Sequence, residues 1–511
     1  MTAARVLGWL DEQSDRLSPL VVKEVRQVVR GREFSLSFGA CLVAGLMVAF
    51  LGATDAVAGG GTAGRWTFVA LMACLGFLGL VVVPLGAFNA LRRERVEQTF
   101  DLITLTALSS RRVVVGKLMA QAVRLTTLFA AMAPFVAMSF LLGGIDFVTI
   151  ALSLVALFMA SLWVCALCVC LSALARTRAV SGAIFALAGL GVLFASGMAL
   201  TVFRALTIGG FFVFGSPGPI LTTPQLLRIV AIVTTAWLVT LINLLLIAVN
   251  RLSLTTEDSV TPLRIGFLAQ LLLIVGWTLT FVFGAPASAR NAGTALGVLG
   301  GLHLMLLAAF AVTESATVPR RALLRMQSSS QGRWVARVFG PGGGRGPANV
   351  LLQLAILLGA LALFPIDADD RRSFLAAYGY LCFYVAVPAF AFLVLLPKYA
   401  TPLRMRVASL VALAAATALP DLLYYIIWQP EQLSLQFSFR HLMGPLQTLP
   451  NWRLVEGAGW TSFPFAIGAI GLLFLIALVP MAARRAAEDA LINPQRPAPA
   501  AGETGRAEVT Y

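Results

Sequence analysis

Charge is scarce in this chain. Asp, Glu, Lys and Arg make up only 12% of its 511 residues, whereas a soluble domain carries about 25%, so a water-facing surface of ordinary polarity is excluded. Histidine is scarcer still: there are two, His303 and His441, and neither stands in a Cys or carboxylate cluster with metal-ligand spacing. The six cysteines, at 41, 74, 165, 168, 170 and 382, all fall inside apolar runs, so no disulfide framework is expected. Cys165 and Cys168 form a C-x-x-C, which within an apolar helix reads as small-residue packing. A phosphate loop is missing as well. The glycine-rich "GPGGGRGP" (340–347) follows Arg345 with Gly and Pro, where nucleotide binding needs Lys followed by Ser or Thr, and Gly116-Lys117 is followed by Leu118. No catalytic constellation is found. The chain is expected not to be an enzyme and to bind no cofactor; if ATP drives it, another subunit must bind the nucleotide.

What is abundant is apolar sequence. Hydrophobic residues reach 59% and the mean hydropathy is +0.88. A bilayer core of about 30 Å takes roughly 20 apolar residues per helix, with every backbone polar group satisfied internally. Runs of that length occur near 34–54, 66–91, 116–143, 147–174, 179–203, 226–249, 264–284, 294–313, 349–365, 374–397, 405–428 and 462–483. The expected fold is an all-α integral membrane protein of about twelve transmembrane helices.

The net charge of +15 tracks this topology and does not suggest nucleic acid as a partner. Basic residues collect in 1–33, 92–117, 314–348 and 398–406, while 55–65, 144–146 and 285–293 hold almost none. By the positive-inside rule both termini are cytoplasmic, and a multi-pass inner-membrane location is expected. The chain divides into a cytoplasmic N-terminus (1–33), a six-span membrane domain (34–250), a cytoplasmic linker (251–263), a further six-span domain (264–483) and a disordered cytoplasmic tail (484–511). Segment 328–347 reads as a flexible basic loop, and the glycine- and proline-broken 205–224 as a shallow re-entrant hairpin or an outer loop. In the outer segment 429–461, Trp452 and Trp460 are expected to anchor at the interface, with Trp428 at the preceding boundary.

Before the first span, Ser18 is a candidate N-cap and Pro19 suits the first helical position. Val21, Val22, Val25, Val28 and Val29 then recur on one face, with Lys23, Arg26 and Arg30 on the remainder, as in a helix lying on a lipid surface.

The segment "ERVEQTFDLITLTALSSRRVVVGKL" (94–118) joins the second and third spans. Val96, Phe100 and Ile103 lie about a turn apart, with Glu94, Glu97 and Asp101 on another side; the acids early in the helix favour its positive end. Ser109 or Ser110 is placed to cap a new helix that runs through Lys117 into the third span.

This layout resembles the permeases of type 2 ABC transporters, whose loop after the second span it follows without a gap. Glu94 and Arg95 stand at its head, followed by Thr99, Asp101, Leu102, Thr106, Leu108, Ser109, Arg111, Val114, Gly116, Lys117 and Leu118. Gln98, Ala107 and Arg112 replace the family's usual Gly, Pro and acid. The resemblance covers about 17–250. It implies a coupling helix that docks into a cytoplasmic ATP-binding subunit, carried by Glu94, Glu97, Thr99, Phe100, Asp101, Ile103, Leu108, Ser109, Arg111 and Lys117. It also implies an N-terminal elbow helix with Pro19, Lys23, Glu24, Arg26 and Arg30, export as the direction, and a second permease copy or homologue as a further partner beside the lipid bilayer. Two other readings stand: an ion-coupled secondary transporter with Asp421 as coupling acid, for which Asp146, Glu314 and Asn243 are weaker polar candidates, and a non-transporting membrane scaffold.

Overall fold

The computed structural model describes residues 19–59, 63–96, 110–143, 145–174, parts of 181–197, 223–253, 258–281, 286–312, 338–342, 344–396, 402–428 and 439–492. Among these residues the structure is helical, with no strand. Ten of the helices are long and apolar enough to cross a membrane, and they coincide with ten of the expected spans. Of the other two expected spans, 179–203 is described only in pieces, and 405–428 lies in the helix Pro402–Trp428. Leu36, Val43, Leu46 and Phe50 of the first span are exposed, a belt of apolar surface that fits a multi-pass membrane protein.

The chain divides into two compact units, Met1–Ser253 and Leu254–Tyr511. Their boundary falls within the expected linker, which the flanking helices shorten at both ends.

The first unit contains α1 (Pro19–Arg30), α2 (Arg32–Val57), α3 (Ala63–Phe77), a π-helical turn (Leu78–Val82), α4 (Val83–Val96), α5 (Ser110–Leu141), α6 (Phe147–Leu174) and α7 (Thr223–Leu252). The π turn has a local cause. Pro84 lacks an N–H and its ring would crowd the carbonyl of Leu80 in a regular helix; instead the preceding Val83 N–H reaches back to Leu78 O, widening the turn. The second span sits at the centre: 61% of its apolar window is buried, against 11% for the span in α7. Phe68, Leu71, Leu75, Leu125, Leu128 and Cys165 pack there in one core. Asp146 accepts from the backbone N–H of Thr149 at 2.9 Å, so its carboxylate works as an N-cap for α6.

The second unit contains α8 (Val260–Leu279), α9 (Pro286–Ala311), α10 (Arg345–Ala362), α11 (Ala368–Val394), α12 (Pro402–Trp428), a 3-10 turn (Phe439–Met443), α13 (Pro445–Thr448), α14 (Trp452–Gly457) and α15 (Ser462–Ile492). Its densest pairing is between α11 and α15. They cross on glycine: a Cβ on Gly379 would lie 2.6 Å from the Cα of Gly468, so the backbones approach as only small residues permit.

Three expectations need correction here. The tail does not begin at 484, because α15 continues to Ile492; "RRAAEDAL" is rich in strong helix formers, and Pro494 follows soon after the end. Nor is 328–347 a flexible loop throughout. Buried Arg264 donates from Nη1 to Gly340 O at 2.5 Å and to Phe339 O at 3.5 Å. Gly344, at φ +77°, then starts α10 with its α carbon packed against Val479. Finally, Trp452 is no interfacial anchor. It is buried with Ala376, Leu442 and Val455, and its indole N–H is satisfied by Glu456 Oε1 at 2.9 Å. Tyr380 and Tyr384 of α11 donate to the carbonyls of Leu442 and Met443 and so hold the 3-10 turn in place.

Candidate functional site

The segment 94–118 is described at its two ends. Glu94 lies in the last turn of α4, with its side chain outside the described residues, as are Glu97, Thr99, Phe100, Asp101, Ile103, Leu108 and Ser109. The described end is firmly rooted. Ser110, first residue of α5, is buried and donates from Oγ to Leu252 O at 3.0 Å, tying the start of the third span to the end of α7. Arg111 is exposed in the next position. Lys117 is buried two turns further along, where its Nζ lies 3.4 Å from Glu24 Oε2.

That contact joins the two regions singled out in the sequence. Pro19 begins α1 as expected of its ring; Lys23, Arg26 and Arg30 are exposed, Val21, Val22, Val25 and Val28 half-buried, and Glu24 buried against α5. The side chains of Lys117 and Glu24 are only 3% and 8% exposed, so the pairing offsets part of the solvation that each ion has lost. Gly31, extended at ψ 140°, separates α1 from α2 and turns the chain into the first span.

Beside the ion pair is a cleft of about 450 Å³ between α1, the start of α2, α4 and α5. Glu24, Arg32, Glu33, Gly86, Asn89, Arg93, Lys117, Gln121 and Arg124 are among the residues that line it. Arg124 is 3% exposed; its Nη2 donates to Ser37 Oγ at 3.2 Å and to Glu33 O at 3.4 Å. Its Nε, like Oε1 of Gln121, is buried without a hydrogen-bond partner. The Glu33 carboxylate is turned to Arg93, at 3.2 Å in an exposed pair. Gly86 makes the space, since a Cβ there would stand 3.0 Å from Arg124 Nη1.

This cleft escaped the sequence reading, although a signal was present. Lys117, Gln121 and Arg124 stand at i, i+4 and i+7, one face of a helix, and a charged or amide side chain inside an apolar span marks a site by default. A second such group lies in the other unit. His303 Nε2–H donates to Gln353 Oε1 at 2.8 Å, and Gln353 Nε2 donates to Asn349 Oδ1 at 2.9 Å, all three buried. The sequence reading placed His303 outside any metal-ligand cluster and did not foresee these hydrogen bonds. The Asp421 side chain and Glu314 lie outside the described residues. Among the described residues no group of three His, Cys, Asp or Glu is arranged to hold a metal ion.

No protein-family model matches the chain, and no curated protein or solved structure does either.

Proposed function

We propose that the chain is the membrane permease of an ATP-driven transporter of the type 2 ABC kind, an exporter that pairs with a separate cytoplasmic ATP-binding subunit. The ungapped register of 94–118 carries this reading. In it, about twelve helices span the inner membrane, both termini and this segment face the cytoplasm, and α1 is the elbow helix. Phe100 and Ile103 enter a groove of the partner, while Glu97 and Asp101 set the register. The roots of the segment support the assignment physically. A push on 97–109 is delivered to α5 at Ser110 and, through Lys117 and Glu24, to α1. A flexible connector would dissipate it.

Co-purification tests the proposal. In mild detergent the intact protein carries an ATPase, and Phe100→Asp loses both that subunit and ATP-dependent efflux. An extract without any ATPase, or a Phe100→Asp variant with unchanged efflux, refutes it.

The buried His303, Gln353 and Asn349 chain favours a second reading, an ion-coupled carrier. There, transport follows the proton gradient with no ATPase present, and His303→Gln or Asp421→Asn abolishes it.

A further inference from the structure

The cleft between α1, α2, α4 and α5 has unmatched polarity, and its chemistry identifies what matches it. Two carboxylates reach it. Glu24 is taken up by Lys117 and Glu33 by Arg93. Among the described residues Arg124 and Arg32 form no salt bridge, the Glu33 carboxylate that Arg93 holds acting on Arg124 only at longer range, and exposed Lys23, Arg26 and Arg30 add positive charge on the adjoining face of α1.

Inside, Arg124 holds a carbonyl and a hydroxyl with one nitrogen while its Nε is left without an acceptor. One turn away, Gln121 Oε1 lacks a donor. Groups left buried and unmet in this way are destabilising. An anion with several acceptor oxygens supplies the first need, and a hydroxyl beside it supplies the second.

Position identifies the source. Arg32 opens the first span, Arg93 closes the second, and Lys117 lies in the opening turns of the third. The cleft therefore sits at one end of the bundle, at the level where lipid headgroups meet cationic side chains.

The geometry points to a binding site for a phosphate group in this cleft, presented by an anionic glycerophospholipid whose headgroup hydroxyl meets Gln121 while its phosphate meets Arg124 and Arg32. Bound there, the headgroup bridges α1 to α5 beside the Glu24 and Lys117 pair. The inference is independent of any ATPase, so it stands or falls apart from the transporter reading.

Native mass spectrometry of the full-length protein tests it, with phosphatidylglycerol and phosphatidylcholine as lipid probes and inorganic phosphate and glycerol 3-phosphate as soluble ones. Wild type is expected to retain phosphatidylglycerol at least about tenfold more tightly than phosphatidylcholine, whose phosphate is the same but whose choline cation neutralises the headgroup and offers no hydroxyl to Gln121. Gln121→Leu should erase most of that preference, Arg124→Lys should weaken retention of phosphatidylglycerol, and Arg32→Gln, an exposed change that leaves folding intact, should weaken it less. Arg290→Gln removes a charge far along the chain and should change nothing. If the soluble phosphates bind as tightly as the lipid and depend on Arg124, the phosphate site is upheld with a solute as its source. Equal retention of both lipids with no response to soluble phosphate overturns the proposal, as does a folded Gln121→Leu and Arg32→Gln pair that binds like wild type.

Discussion

A carboxylate and an ammonium withdrawn from solvent together, as Glu24 and Lys117 are, stabilise the fold only as a pair. Breaking a buried pair by removing one partner costs about 3–5 kcal/mol, whereas replacing both with apolar side chains of similar volume is often neutral. Glu24→Gln or Lys117→Met alone is therefore expected to lower the thermal midpoint in detergent sharply, and Glu24→Leu combined with Lys117→Met to restore most of it. Equal losses in the single and double variants would show that the pair contributes nothing specific. The exposed pair of Arg93 and Glu33 provides the contrast, since Arg93→Gln should shift stability by about 0–1 kcal/mol. Both Glu24 and Lys117 were visible in the sequence as members of two different motifs. Their partnership was not, because 93 residues separate them and helical periodicity speaks only of neighbours within a few turns. Arg124 was hidden in another way: its charge is evident, but Ser37 and the Glu33 carbonyl that hold it come from a different span.

At the scale of elements, hydropathy located ten of the spans but misjudged where several helices end. It marks the limits of apolar sequence, while a helix continues until its backbone is capped or broken. So α10 begins at Arg345 behind the left-handed Gly344 and α15 runs on to Ile492, while α5 begins at Ser110, ahead of its apolar run but where the capping serines Ser109 and Ser110 led one to expect it. Which glycines matter is equally illegible in sequence. Gly379 and Gly468 meet backbone to backbone, yet Gly359 in α10 faces open space. Ala at Gly359 is expected to stabilise by up to about 1 kcal/mol through helix propensity. Ala at Gly468 must instead displace α11, and overpacking of this kind costs about 1–3 kcal/mol. Thermal unfolding of the two variants should move in opposite directions, and a Gly468→Ala protein as stable as wild type would mean that the crossing is looser than its geometry implies.

For the whole molecule, the two units have internal contacts that explain their separate compactness. The first is organised around its central second span, and the second around the α11 and α15 crossing together with the tyrosine-held 3-10 turn Phe439–Met443. The family resemblance covers about 17–250 and so falls within the first unit, Met1–Ser253, together with both flanks of segment 94–118 and their anchors at Ser110, Leu252, Lys117 and Glu24. If coupling to an ATP-binding subunit is a property of those residues, it should travel with that unit. Fragment 1–253 expressed alone is expected to insert and remain monodisperse in detergent. Its unfolding midpoint should stay within about 2–4 °C of the corresponding transition in the full chain, the shift that about 1 kcal/mol produces at this size. It should also retain the ATPase subunit, while fragment 254–511 retains none. Phe100→Asp in the short fragment should abolish retention without moving the midpoint, because a docking residue contributes to the partner's groove and not to the core of its own unit. Retention by 254–511, or by both fragments equally, would place the docking surface elsewhere in the chain and remove 94–118 from its proposed role.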